Sequence, residues 1–177
     1  MYRHILLAVA LQQWDEFSPH AVAAREAAVA LAHGAGAQLS VLSVYDYDEA
    51  RPDTLSLPPE EISRYRDTQM QRIDEQMATK MQAFLAAIPI HQIPITPLLK
   101  VGNPRQVIVG TAEALGADCV VIGAHSKRSF LDVLLGGTAA AVSRQAPCAV
   151  MMIQPGEKRP LVQTDEVGPI RQDPVPG

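Results

Sequence analysis

The stretch from Val120 to Pro147, VVIGAHSKRSFLDVLLGGTAAAVSRQAP, constrains the fold more than any other. It is entered through Cys119-Val120-Val121-Ile122, an apolar run that stops at Gly123. Such a run suits a strand covered on both faces. A polar loop with His125, Ser126, Lys127 and Arg128 follows, then a mostly apolar turn from Phe130 to Leu135. The pair Gly136-Gly137 then opens an Ala-rich helix expected to start at Thr138. Free N–H groups at a helix start, flanked by residues small enough for close approach, are the physical basis of a phosphate site. The alternative is a strand–loop–helix crossover whose glycines only cap and turn.

The rest of the chain repeats the alternation. Ile5 to Leu11 is a continuous apolar run of strand length, followed by a polar loop, Gln12 to Phe17, that carries Trp14 and Asp15. Ser18-Pro19 marks a helix start, serine as N-cap and proline at the first helical position. That helix is Ala-rich and is expected to reach Leu31 or Ala32, with Gly34 or Gly36 ending it. Gln38 to Tyr45 reads as the second strand. The longest helix carries Ile62, Tyr65, Met70, Ile73, Met77, Met81, Phe84 and Ile88 mostly three or four residues apart. A methionine stripe at that spacing is expected to fill core.

His91 to Val101 is expected as the third strand, and Pro94 and Pro97 inside it assign it to a sheet edge. Asn103-Pro104 caps a helix over Arg105 to Leu115 that Gly116 ends. Asp118 to Gly123 is the fourth strand, Thr138 to Gln145 the last helix and Cys148 to Gln154 the fifth strand. The alternation predicts an α/β fold: an open five-stranded parallel sheet, order 3-2-1-4-5, with helices on both faces. In that order the winding reverses between strands 1 and 4, and ligands bind at the strand ends beside such a switch point. The domain is expected over residues 1–154. Residues 155–177, with five prolines and little apolar periodicity, read as a flexible tail.

A net charge of −4 and the absence of a basic stripe argue against a nucleic-acid surface. No run is long enough to span a membrane, and the N-terminal run lacks a cleavage site, so a cytoplasmic protein is expected. Cys119 and Cys148 each begin an apolar run and read as buried free thiols. The five histidines have no paired metal-ligand spacing, and neither a G-x-S-x-G elbow nor a G-x-x-x-x-G-K-[ST] loop occurs. Nothing visible carries catalysis, so an enzyme is not expected.

Gly123, Ser126, nine further residues and Gly136 resemble the G-x2-G-x9-G-(S/T) nucleotide loop of universal stress proteins. Ile5 to Val9, Val101-Gly102-Asn103-Pro104, Ala117-Asp118 and Ala146 to Val150 also resemble that family's motifs, in its order. The resemblance implies an adenine nucleotide, ATP or AMP, and the sequence itself offers no metal site. It implies Ala8, Val9 and Ala10 beside base and ribose, Val44 and Ile122 against the adenine, and Gly123 where the ribose approaches. Ser126, Gly136, Gly137 and Thr138 would meet phosphates, with Lys127 adding charge. It further implies a homodimer through the last strand, Cys148 to Ile153, with an unidentified protein partner also open. Three places depart from the family pattern. Ala10 stands where an aspartate reads adenine, Ser126 replaces the second glycine, and Gly137 precedes Thr138 where the pattern has Ser/Thr. Base selectivity is therefore expected to be weak unless Asp15 takes over. A ligand-free interaction module of the same fold is the second expectation.

Overall fold

Six consecutive buried residues, His4–Val9, form β1. Only a central strand can bury both its faces in this way. The computed structural model describes residues 1–12, 16–48, 58–88, 93–124, 126–129, 132–135 and 137–155, with 59, 126–129 and 132–135 by backbone alone. β1 pairs in parallel with β2 (Gln38–Tyr45) on one side and β4 (Cys119–Gly123) on the other. β2 pairs with β3 (Ile95–Val101), and β4 with β7 (Ala149–Ile153), both in parallel. The sheet order is β3-β2-β1-β4-β7, the expected 3-2-1-4-5 with β7 as the fifth strand.

Helices cover both faces. α1 (Pro19–Ala35) and α2 (Pro59–Ala86) lie on one, where Ala24, Ala28 and Ala32 of α1 pack with Ile5, Leu7 and Val121. Small alanines along one side of α1 let the helix backbone come close to the sheet. α3 (Pro104–Leu115) and α4 (Gly137–Gln145) cover the other face, with Ile108, Ala112, Ala139 and Val142 against Leu6, Leu42 and Val120. The caps follow local chemistry. Ser18 Oγ accepts from the Ala21 N–H at 3.2 Å, and Asn103 Oδ1 from the Arg105 N–H at 3.0 Å. Gly36 and Gly116 end α1 and α3 in the left-handed region, at φ 62° and 57°.

Met77 and Met81 are buried, as core filler should be, but the α2 stripe does not reach the core along its whole length. Tyr65 is 43% exposed and Met70 only partly buried. A 28-residue helix is roughly 42 Å long, whereas the eight-residue β2 spans roughly 26 Å. The first turns of α2 therefore overhang the sheet.

β3 starts at Ile95, later than expected; residues 89–92 lie outside the described residues. It does lie at an edge, and its proline costs no ladder bond. Leu39 N–H donates to the Pro94 carbonyl and Gly102 N–H to that of Tyr45, both at 2.9 Å. In a parallel ladder that phase turns the even-numbered N–H groups of β3 toward β2 and the odd-numbered ones outward. The nitrogen of Pro97 thus faces the free edge.

Asp118 explains the Ala-Asp pair ahead of β4. Its Oδ2 accepts from the main-chain N–H groups of Arg3 and His4, at 2.7 and 2.9 Å, and fixes the start of β1 beside β4. Those two bonds hold its carboxyl below the usual carboxylate range. Both cysteines are free, Cys119 buried and Cys148 half-buried, and burial pushes both thiols up. Cys119 packs on the α1/α2 side and Cys148 on the α3/α4 side, so the sheet itself separates them.

The expected loop and apolar turn after Gly123 are corrected. Ser126–Ser129 (β5) and Asp132–Leu135 (β6) pair as an antiparallel hairpin outside the main sheet. Single-strand periodicity does not reveal two four-residue strands whose stability comes from each other. Smaller corrections concern ends: α1 continues to Ala35, α4 begins at Gly137, and the last strand is Ala149–Ile153. The expected tail lies, beyond Pro155, outside the described residues.

Candidate nucleotide cleft

The switch point between β1 and β4 opens into a cleft of about 280 Å³. Parallel strands end there side by side while their following helices leave to opposite faces, which leaves a crevice that no helix fills. Ala8 and Val9 line it from β1, Ala10 from the residue just after it, Val44 from β2, Ile122 and Gly123 from β4, and Gly137 and Thr138 from α4. The structure brings these expected residues together. Ser126 and Lys127 belong to β5, and their side chains lie outside the described residues, as do Gly136, Trp14 and Asp15 altogether.

Other lining residues were not among the expected site residues. Gln12, Ser18, His20 and Asp46 come from separate loops and a helix start, and meet only in the folded chain. Gly102 and Pro104 also line the cleft and belong to the turn already noted as a motif. Gly102 has φ 140°, and a Cβ there would come 3.1 Å from Val107 Cγ2, so the entry into α3 requires glycine.

Gly123 has a structural duty besides its place in the cleft. A Cβ on it would sit 3.0 Å from the carbonyl oxygen of His20 and 3.1 Å from its Cβ. The first turn of α1 therefore crosses the end of β4 over a missing side chain. Gly123→Ala is expected to cost about 1–3 kcal/mol, because main chain rather than a flexible side chain must shift. A thermal melt that matches the wild type would refute this. Gly137 differs: a Cβ there would lie 2.7 Å from Nη2 of Arg105, a side chain that can swing away. The guanidinium of Arg105 rests against the first residue of α4.

Main-chain and phenolic hydrogen bonds stiffen the rim at the end of β2. Gln12 Nε2 donates to the Asp46 carbonyl at 2.9 Å, and its Oε1 accepts from the Asp46 N–H at 3.0 Å. The hydroxyls of Tyr45 and Tyr47 donate to Asp74 Oδ1 at 2.6 and 2.7 Å, which ties α2 to this end of the sheet. Burial first, then the bond to Asp74, pushes the Tyr45 phenol well up; for Tyr47 the Asp74 bond is the main cause. Both remain protonated donors at neutral pH. Among the described residues no group of three or more His, Cys, Asp or Glu could hold a metal ion, and no helix is long and apolar enough to cross a membrane.

Comparison with known proteins decides the family. The sequence model of the Universal stress protein family matches residues 1–154. The chain belongs to the universal stress protein family. A universal stress protein of Thermus aquaticus is 30% identical over 154 residues, 87% of this chain and 100% of that one. Among solved structures, the universal stress protein UspA from Lactobacillus plantarum aligns at TM-score 0.57 and 26% identity, covering 86% of this chain and 97% of its own. A universal stress protein in complex with cAMP aligns at TM-score 0.51 and 19% identity over 88% of this chain and 98% of its own. At that identity the likeness is one of fold.

Proposed function

We propose that this universal stress protein binds an adenine nucleotide, ATP or AMP, in the cleft at the β1/β4 switch point and works as a regulatory protein without turnover. The observation that carries this reading is the cleft's lining. Apolar Leu42, Val44, Ile108 and Ile122 suit a flat base, and Gly123, Gly137 and Thr138 complete the lining. At about 280 Å³ the cleft suits base and ribose, with phosphates reaching the mouth near Gly137 and Arg105. A family structure described in complex with cAMP supports an adenine ligand on this fold. The proposal includes a homodimer joined through β7 and a cytoplasmic setting.

The second reading is a ligand-free interaction module of the same fold. The pairing of β5 with β6 favours it, because main-chain groups of the expected phosphate loop pair with each other. Mass spectrometry of the protein purified without added nucleotide, followed by calorimetry with ATP and AMP, separates the two. A co-purifying or titratable adenine nucleotide is the expected result. Absence of both supports the module.

A further inference from the structure

We propose that Asp46 tells adenine from guanine in this chain, supplying the acceptor that Ala10 lacks; the inference rests on nucleotide binding in the cleft. β1 and β2 run in register to Val9↔Ser43, and continuing that register sets Gln12 beside Asp46. The Gln12 carboxamide occupies both main-chain groups of Asp46. The main-chain N–H at this place is therefore taken, and the residue is held by two bonds. Its carboxylate is the only one among the described residues that line the cleft. Oδ1 accepts from the Asp48 N–H at 3.0 Å, whereas Oδ2 has no hydrogen bond among the described residues.

Asp46 is exposed at the rim of the cleft, directly after β2, the strand whose Val44 lines the place proposed for the base. An acceptor there takes a hydrogen bond from the 6-amino group of adenine and repels the 6-carbonyl of guanine. A hydrogen bond to a charged group is worth roughly one to two decades in affinity.

Competition titrations of ATP and GTP against the full chain test this. Wild type is expected to prefer ATP by roughly ten- to a hundredfold. Asp46→Ala should abolish the preference. Asp46→Asn should reverse it, because the Asp48 N–H keeps the amide oxygen and turns the NH2 donor toward the base. A merely structural role for Asp46 would weaken both nucleotides alike and leave their ratio unchanged. Binding of both nucleotides with a ratio that neither variant moves overturns this inference alone. A wild type that prefers GTP also overturns it, since a carboxylate would then be facing the two donors on guanine's other edge. A wild type that binds neither overturns the nucleotide reading and this inference with it.

Discussion

Phe84→Ala is expected to lower stability by about 3–5 kcal/mol, measured as a shift in the urea midpoint at fixed protein concentration. Phe84 is fully buried near the end of α2. Its ring meets Phe17 edge-on at 5.1 Å between centroids, and the Arg25 guanidinium lies 4.9 Å above it. Arg25 Nη1 also donates to the Phe84 carbonyl at 3.0 Å. One side chain therefore joins α2, α1 and the segment that leads into α1. Truncation removes the apolar burial, leaves a cavity and strips the cation of its aromatic partner, three losses in the same direction. Phe84→Leu keeps most of the volume and should lose distinctly less. A loss below about 1 kcal/mol for the alanine variant would show that α2 docks loosely at this end.

Met152→Lys is expected to convert the proposed homodimer into monomer, read by sedimentation at micromolar concentration. β7 is an edge strand, has no charged residue and leaves Met152 38% exposed. An uncharged apolar edge invites pairing. Across a two-fold axis each substitution appears twice, so two ammonium groups meet on the same apolar surface. Several kcal/mol of repulsion and desolvation, about 3 as a working figure, weakens association by roughly two decades. Met151→Lys should dissociate the pair as well, but Met151 packs partly on the α1/α2 core, so its substitution also costs fold stability. Met152 is the cleaner test. A wild type already monomeric at micromolar concentration, or a Met152→Lys variant that stays paired, would refute the β7 interface.

Much of the fold was legible because its strands are extreme cases. β1 and β4 are buried on both faces, so they appear as unbroken apolar runs, and Pro97 marks β3 as an edge strand. Ser18-Pro19 and Asn103-Pro104 announced helix starts through chemistry confined to a few residues. Of the cleft's lining, Gly123 and Gly137 stood out as glycines at a strand end and a helix start, and the family resemblance pointed to Ala10 and Val44. Gln12, His20, Asp46 and Arg105 were not, because their positions depend on which loops the topology juxtaposes. Gly123 shows the limit most clearly. Its glycine character follows from contact with α1, far off in sequence, and no pattern around Gly123 encodes that contact. The overhang of α2 was hidden for a similar reason: apolar spacing describes a helix face but not how far the sheet beneath it extends.

The two rims of the main sheet differ in what they offer a neighbouring copy. Along β3, Pro97 presents an outward nitrogen without a hydrogen in the middle of the rim, so a strand laid there loses a bond and meets a ring. β7 has no proline. Two copies joined β7 to β7 would use up the open rim of each and leave only the proline-bearing rims outside. A third copy would find a poorer template there. In such a pair, growth by strand addition would stop at two, and raising the concentration would not turn the pair into a filament.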